Sequence, residues 1–501
     1  MAANPMSMAA PKFTEAPSLA ESAEPKSAPT LERVVQRVRL RAQRRTAWLR
    51  KLWAEEGEPG GKLAVTHAEI DTHLADRDDP RAEAQCYARD PNIAELNRVL
   101  ARIEAEIAAD QNSRLAELRR IFGLSDADSD LFQACLALAL DPSLGRIYAY
   151  LQDHAGRGYV TDELAARLFG HGRGGLWNAA SPLARWTLVQ ERETAPGEPP
   201  LLACDPLLRD WVQGHPVIDT GLIGAATLQP PLDPLSGWPV AETASFISRA
   251  LGGDYPAKIR LQVVGPHGSG RRTLAATISA RLELPLLVID SDALDDTQWV
   301  EAYRRAQRQA YLDRMALAWA GESLARRSWP GTVPPFPVQF LLLEPGETSR
   351  PSPSLLDRRI EMPLPGLDER RALWHRYLPN SAGWPWPAFE ALVQRHRVTV
   401  GEIAAVARTA PSGAEEAAVR VREHRRQRLG RLAQHIECPF TRDDLVVPER
   451  IGQVLDDLVF EAEHRAAFWE RPRRGACFPK AAGCSRSLAA LPAPARSWRR
   501  K

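Results

Sequence analysis

The stretch KIRLQVVGPHGSGRRTLAATISARLELPLLVID, Lys258–Asp290, decides the fold. Its first seven residues form an apolar run of strand length, GPHGSG is a glycine turn, RRTLAATISARLEL has helical composition, and PLLVID is a second apolar strand. Strand, glycine turn, helix and strand in this order are the setting of a phosphate loop. Gly265, Gly268 and Gly270 let the backbone curl so that its N–H groups and the following helix N-terminus can cradle phosphate. The expected nucleotide-binding set is therefore Gly265, Pro266, His267, Gly268, Ser269, Gly270, Arg271, Arg272 and Thr273.

The chemistry of that loop is damaged. After its last glycine the motif needs Lys and then Ser or Thr, and this chain has Arg271 and Arg272, with Thr273 one place late. Arginine keeps the positive charge but is planar and bulkier than an ammonium, so phosphate attraction survives with altered geometry. The hydroxyl that would hold Mg²⁺ is gone from position 272. ATP is the cofactor such a loop implies, Mg²⁺ is poorly provided for, and slow or absent hydrolysis is expected.

An acidic strand should supply a carboxylate for the metal shell and another to activate water. Two stretches compete for the place. MALAWAGESL (Met315–Leu324) follows a long helix but carries Ala320 where an Asp should end the strand, with Glu322 nearby. VQFLLLEPGE (Val338–Glu347) is the better strand and ends in Glu344 and Pro345. The first is preferred as the acidic strand and the second as its neighbour carrying a polar sensor, so Glu322 and Glu344 are both held as catalytic candidates. No metal site is expected.

Length, charge and the upstream segments bound the rest. At 501 residues the chain exceeds one core and calls for two or three domains. With 65 Lys+Arg against 63 Asp+Glu, no global charge recruits nucleic acid or an anionic membrane. No apolar run reaches spanning length and MAANPMSMAAPKFTEAPS lacks a signal-peptide pattern, so a cytoplasmic chain without membrane association is expected. Six cysteines without CxxC spacing (Cys86, Cys135, Cys204, Cys438, Cys477 and Cys484) read as packing or incidental thiols.

Residues 1–30 have the composition of a disordered arm. From Leu31, RVVQRVRLRAQRRTAWLRKLW reads as an amphipathic basic helix, whose arginines either contact an acidic partner or lay their stems over a core. Further helices and then SPLARWTLVQERE and PPLLACD, two strands around a Pro/Gly turn, give a winged-helix-like order over 31–215. The recognition-helix candidate, DELAARLF, offers only Arg167 against Asp162 and Glu163, so nucleic acid is an unlikely partner and protein docking is favoured. A Pro-rich linker (216–240) leads into the α/β core (241–380) and a helical region at 381–430.

LLDRRIEMPLPGLDERRALWHRYLP followed by FEALVQRHRVTVGEIAAVARTA resembles the end of an AAA+ core and its helical lid. By that resemblance Arg358 or Arg359 lies near the place of a trans-acting arginine finger, and VTVGEIAAVA near the second sensor. Over roughly 31–480 the chain resembles the tandem AAA+ ATPases encoded with contractile injection systems, whose first module is commonly degenerate. The resemblance implies an α/β fold, a P-loop AAA+ core with a lid behind a mainly helical winged-helix domain. It also implies a protein component of such a system as partner, and homo-oligomers. Surface charges are the plain alternative for Arg358 and Arg359.

FTRDDLVVPERIGQVLDDLVFEAEHRAAFWERP, within 431–480, reads as the lead-in to another such module, but residues 481–501 are basic, acid-free and aperiodic. Synonymous codons exist for Lys480–Lys501 that, with one G added after the first, read KGRGLFALLGGPPGTGKIVAAQ, a strand entering a complete phosphate loop, although Ile follows its Lys. A frameshifted tail that has lost an active second module is the expectation, against a genuine basic tail. Nucleotides beyond the stop should then encode, in the shifted frame, a strand ending in Asp-Glu and an arginine finger; sequencing the locus checks this, and immediate stops would refute it.

Overall fold

A computed structural model describes residues 28–54, 74, 78–253, 256–352, 354–429, 444 and 446–469. The arm up to residue 27, the tail at 481–501 and Cys438, Cys477 and Cys484 lie outside them. Two compact units divide the chain: residues up to Pro234 with Pro239–Gly265 and Arg271–Glu361, and Leu235–Trp238 with Pro266–Gly270 and the chain from Met362.

The first unit begins with helices α1 (Ala28–Ala54), α2 (Pro80–Arg89), α3 (Pro91–Ala109), α4 (Arg114–Phe122), α5 (Asp126–Leu140) and α6 (Leu144–Leu151). Their starts follow local capping chemistry: Asp79, Asp90, Ser113 and Ser125 each accept a backbone N–H of the first turn. The basic helix α1 buries Val34, Val38, Ala42, Leu49 and Leu52. Three of its arginines pair inside the molecule, while Arg39 and Arg50 are exposed. Arg37 bonds Glu104 and Asp130 at 2.9 and 2.8 Å, Arg41 bonds Glu104, and Arg45 bonds Asp78 and Glu83 at 2.6 and 3.0 Å. Of the two readings of this helix, the packing one is what the fold contains.

Helix α7 (Asp162–Phe169) then precedes α8 (Pro182–Arg185) and the antiparallel pair β1 (Val189–Arg192) and β2 (Leu201–Cys204), with Val160 bridged to Leu202. Helix α7 is the recognition-helix candidate of the sequence. Leu164 through Phe169 of α7 are all buried, and Arg167 is locked to Asp78 and Glu83 at 2.6 and 2.8 Å. The helix directly before the wing strands, α8, has four residues, too few to lie along a major groove.

After α9 (Pro206–Val212), the segment read as a linker contributes β3 (Ala226–Gln229), which pairs antiparallel with β5. Four residues beside a Pro-rich run carry too little periodicity to announce a strand. Helix α10 (Val240–Leu251) leads to β4 (Ile259–Val264), α11 (Arg271–Arg281), β5 (Leu286–Asp290), α12 (Asp296–Asp313), β6 (Ala316–Ala320), β7 (Val338–Leu343) and β8 (Leu356–Glu361). Among the described residues the sheet order is β3-β5-β6-β7-β4-β8, parallel throughout except β3. β6 and β7 are buried along their whole length, as parallel strands covered on both faces must be. Two polar pairs cross strands inside it: Arg260 of β4 grips Asp357 of β8 at 2.6 and 2.7 Å, and Trp319 donates to Gln339 at 2.9 Å.

The winged-helix region and the sheet belong to the same unit because α12 carries a polar seam between them. Arg308, fully buried, donates to Asp219 at 2.5 Å, to Asp205 at 3.2 Å and to the carbonyls of Trp186 and Thr187. Arg305 adds a second bond to Asp219 at 2.8 Å, and Trp211 donates to Asp313 at 3.0 Å. Burial works against the Asp219 carboxylate, but the Arg308 and Arg305 charges outweigh it and hold its pKa below the ordinary value.

The second unit holds α13 (Leu367–Tyr377), α14 (Trp386–Arg395), α15 (Val400–Ala407), α16 (Ala414–Leu429) and α17 (Glu449–Trp469). Trp374, Phe389, Val393, Val398, Ile403 and Ala417 form its core. Its longest run begins at Met362, and Leu373 and Trp374 of α13 pack into that core.

Removing Arg308 strands two buried carboxylates, so Arg308→Ala is expected to cost about 3–5 kcal/mol, measured by urea unfolding. Asp219 titrates lower folded than unfolded, so its contribution is complete above about pH 4 and is lost as pH falls through the depressed folded value. Asp219→Asn should accordingly flatten the acid limb of a stability-against-pH curve.

Candidate functional site

The parallel sheet has one switch point. From β4 the chain crosses past β7 and β6 to reach β5, whereas from β7 it crosses β4 to reach β8, so the connections after β4 and β7 leave in opposite directions. The carboxyl ends of two such strands form the crevice where open α/β sheets bind ligands. Val264 and Leu343 are register partners at those ends, Gly265 N–H donates to Leu343 at 3.1 Å, and the next residues are the glycine turn on one strand and Glu344 on the other.

At this crevice Arg271, the first residue of α11, donates to Glu344 Oε1 at 2.5 Å. The two charges are partly shielded, with side chains 15% and 35% exposed. Arg271 Nη1 is buried without a partner. The Glu344 backbone N–H is in turn held by Glu347 at 2.6 Å. The Arg271 guanidinium thus already carries a carboxylate, Glu344, through one of its oxygens.

The glycine turn belongs to the second unit. Gly268 and Gly270 have φ of +78° and +96°, which side chains rarely adopt. Thr399 caps α15 in a reciprocal capping box with Glu402, and the next residue but one, Gly401, donates its N–H to the Gly268 carbonyl at 2.8 Å. A Cβ on Gly401 would come within 2.6 Å of Gly268 Cα. The Trp238 indole lies on Gly270, where an added Cβ would meet Cη2 at 2.6 Å and Cζ2 at 2.8 Å. Ser269 is buried with its hydroxyl unpartnered, His267 is exposed, and Pro266 and Thr273 are half-buried. Arg272 is exposed.

The acid candidates do not assemble into a metal shell. Ala320 ends β6, which is separated from β4 by β7. Glu322 sits exposed in a 3-10 turn, its backbone N–H bound by Asp292 Oδ2 at 2.8 Å. Asp292 also takes the Ser323 N–H, and these bonds hold its carboxyl below the usual range against the effect of burial. Among the described residues no group of three His, Cys, Asp or Glu side chains could hold a metal ion.

Arg358 and Arg359 lie on the edge strand β8. Arg358 stacks over Phe246 at 4.2 Å and bonds Glu242 of α10 at 2.9 Å, while Arg359 faces Glu361 at 3.5 Å. The Arg358 guanidinium is thus engaged within its own chain. Sequence reasoning overlooked Trp238 and Gly401, whose only sequence signal was a tryptophan before a helix and a glycine just after an N-cap.

Residues 28–217 match the family model described as "Winged helix domain, variant". No curated protein matches the chain. Among solved structures, the AAA domain of FIGL-1 is 12% identical over 48% of this chain and 92% of its own, with a TM-score of 0.29. The same domain in complex with ADP is 11% identical over 48% and 93%, also with a TM-score of 0.29.

The Gly268–Gly401 approach has no room for a side chain, so Gly401→Ala should destabilise the chain by about 1–3 kcal/mol although alanine is the better helix former. A thermal melt checks the sign, since helix propensity alone would raise the midpoint.

Proposed function

We propose that this chain is a degenerate nucleotide-loop protein of the AAA+ type that does not turn over ATP and acts as a protein-binding adaptor. The Arg271–Glu344 ion pair carries the reading. In a working loop a cation is left open for the β- and γ-phosphates and a nearby acid serves metal or water; here one residue neutralises the other. Ala320 and Arg272 remove the remaining metal ligands. This loss of chemistry is compatible with the retained glycine turn, whose backbone still suits an anion.

A protein partner is favoured over DNA because the helix that would read a groove is buried and its Arg167 is internally paired. Service in the assembly or remodelling of a contractile injection system, and association into homo-oligomers, rest on the sequence likeness alone. The second reading, a weakly hydrolysing ATPase, draws on the glycine turn and on Glu322, the exposed acid beyond β6.

Phosphate release separates the two. The purified chain is expected to release phosphate from ATP at background rate, unchanged by Gly270→Asp; turnover that this substitution abolishes would refute the adaptor reading. Fluorescence anisotropy with duplex DNA is expected to show no binding that strengthens as salt is lowered to about 50 mM, the behaviour that phosphate contacts would produce.

A further inference from the structure

We infer that the chain occupies its own nucleotide loop: Trp238 lies on the last glycine of the turn where a nucleotide's ring system would extend from the phosphates, and Gly401 clasps the turn from the lid. The inference rests on the reading of the turn as a nucleotide loop and explains how that loop is kept shut without ligand.

Three observations meet within the second unit. The indole is 9% exposed and covers Gly270 so closely that no Cβ fits between them. Its Nε1 is buried and has no hydrogen-bond partner, which is a costly arrangement for an N–H that could face water. Ser269, inside the same turn, is likewise buried with an unpartnered hydroxyl. Two orphaned donors beside one glycine turn mark a polar site that has been filled by an apolar ring.

The segment bearing Trp238 is tied down. Glu369, in the first turn of α13, accepts from Ser236 Oγ at 2.7 Å and from Gly237 N–H at 2.9 Å, and it also accepts the Gly366 N–H at 3.0 Å. Burial opposes the Glu369 charge, but these bonds outweigh it and hold the carboxyl below its usual range. From the other side the Gly401 N–H takes the Gly268 carbonyl. An N–H at the start of α15 that could have met an anion is thereby spent on the turn itself. Nucleotide can enter only if the indole swings away, so apparent affinity is reduced by the fraction of molecules in which it has done so.

The test measures binding of a fluorescent ATP analogue, mant-ATP, to the full chain, to Trp238→Ala and to Glu369→Ala, each also in a Glu344→Gln background that releases Arg271. Trp238→Ala is expected to bind at least about tenfold more tightly than its parent, with Glu369→Ala between them, because it loosens the strap without touching the turn. A folded Trp238→Ala that binds no more tightly than its parent in either background overturns the inference. If that variant does not fold by circular dichroism, an unchanged affinity in Glu369→Ala overturns it instead. The outcome is a ratio between variant and parent, so it is independent of phosphate release by the parent, on which the adaptor reading stands or falls.

Discussion

Arg308 organises the first unit. Its charge, with no exposed surface, is met through both Nη atoms by Asp205 at the start of α9, Asp219 in the following turn and the carbonyls of Trp186 and Thr187 before β1. Because Arg308 projects from a helix packed on the parallel sheet, its partners fasten the wing to that sheet. Around the charges, Trp186 packs edge-on against Tyr311 of the same helix and tilts against Phe122 of α4. A buried ion pair is weak evidence of net stability but strong evidence of a fixed arrangement once both charges are present. The wing is thereby made a buttress of the core, which suits a domain without a free recognition helix.

On the same sheet a second arginine is paired with a carboxylate. The switch point between β4 and β7 is where a ligand crevice should open, and Arg271 and Glu344 close on each other across it. The two arginines, 271 and 308, illustrate one rule applied in two places: the planar fork of a guanidinium is met by whatever carboxylate the fold brings near. In one case the pair joins the wing to the sheet and in the other it links the ends of β4 and β7 through α11.

The glycine turn is a packing surface for backbone. Positive φ at Gly268 and Gly270 creates a groove without side chains, and a groove of that kind accepts either an anion or another backbone. Gly401 supplies the second, and the absence of a Cβ on both partners is what allows the approach.

Much of this was legible in the one-dimensional pattern. The apolar runs at 259–264, 286–290 and 338–343 and the glycine turn speak through local propensity and periodicity, which depend on neighbours in the chain. So does the loss of Lys and hydroxyl at 271 and 272, since it is read from identity alone. What tertiary structure decided was which distant groups meet. Nothing local distinguishes the arginines of α1 that fold inward, the four residues of β3 that join the sheet, or Glu344 as the partner of Arg271. Trp238 and Gly401 acquire their meaning only from the turn they touch, 32 and 131 positions away by the numbering of Gly270. Propensity and patterning are written in adjacent residues, whereas the pairing of buried charges and the covering of a backbone groove are set by packing, which brings together residues that the sequence keeps apart.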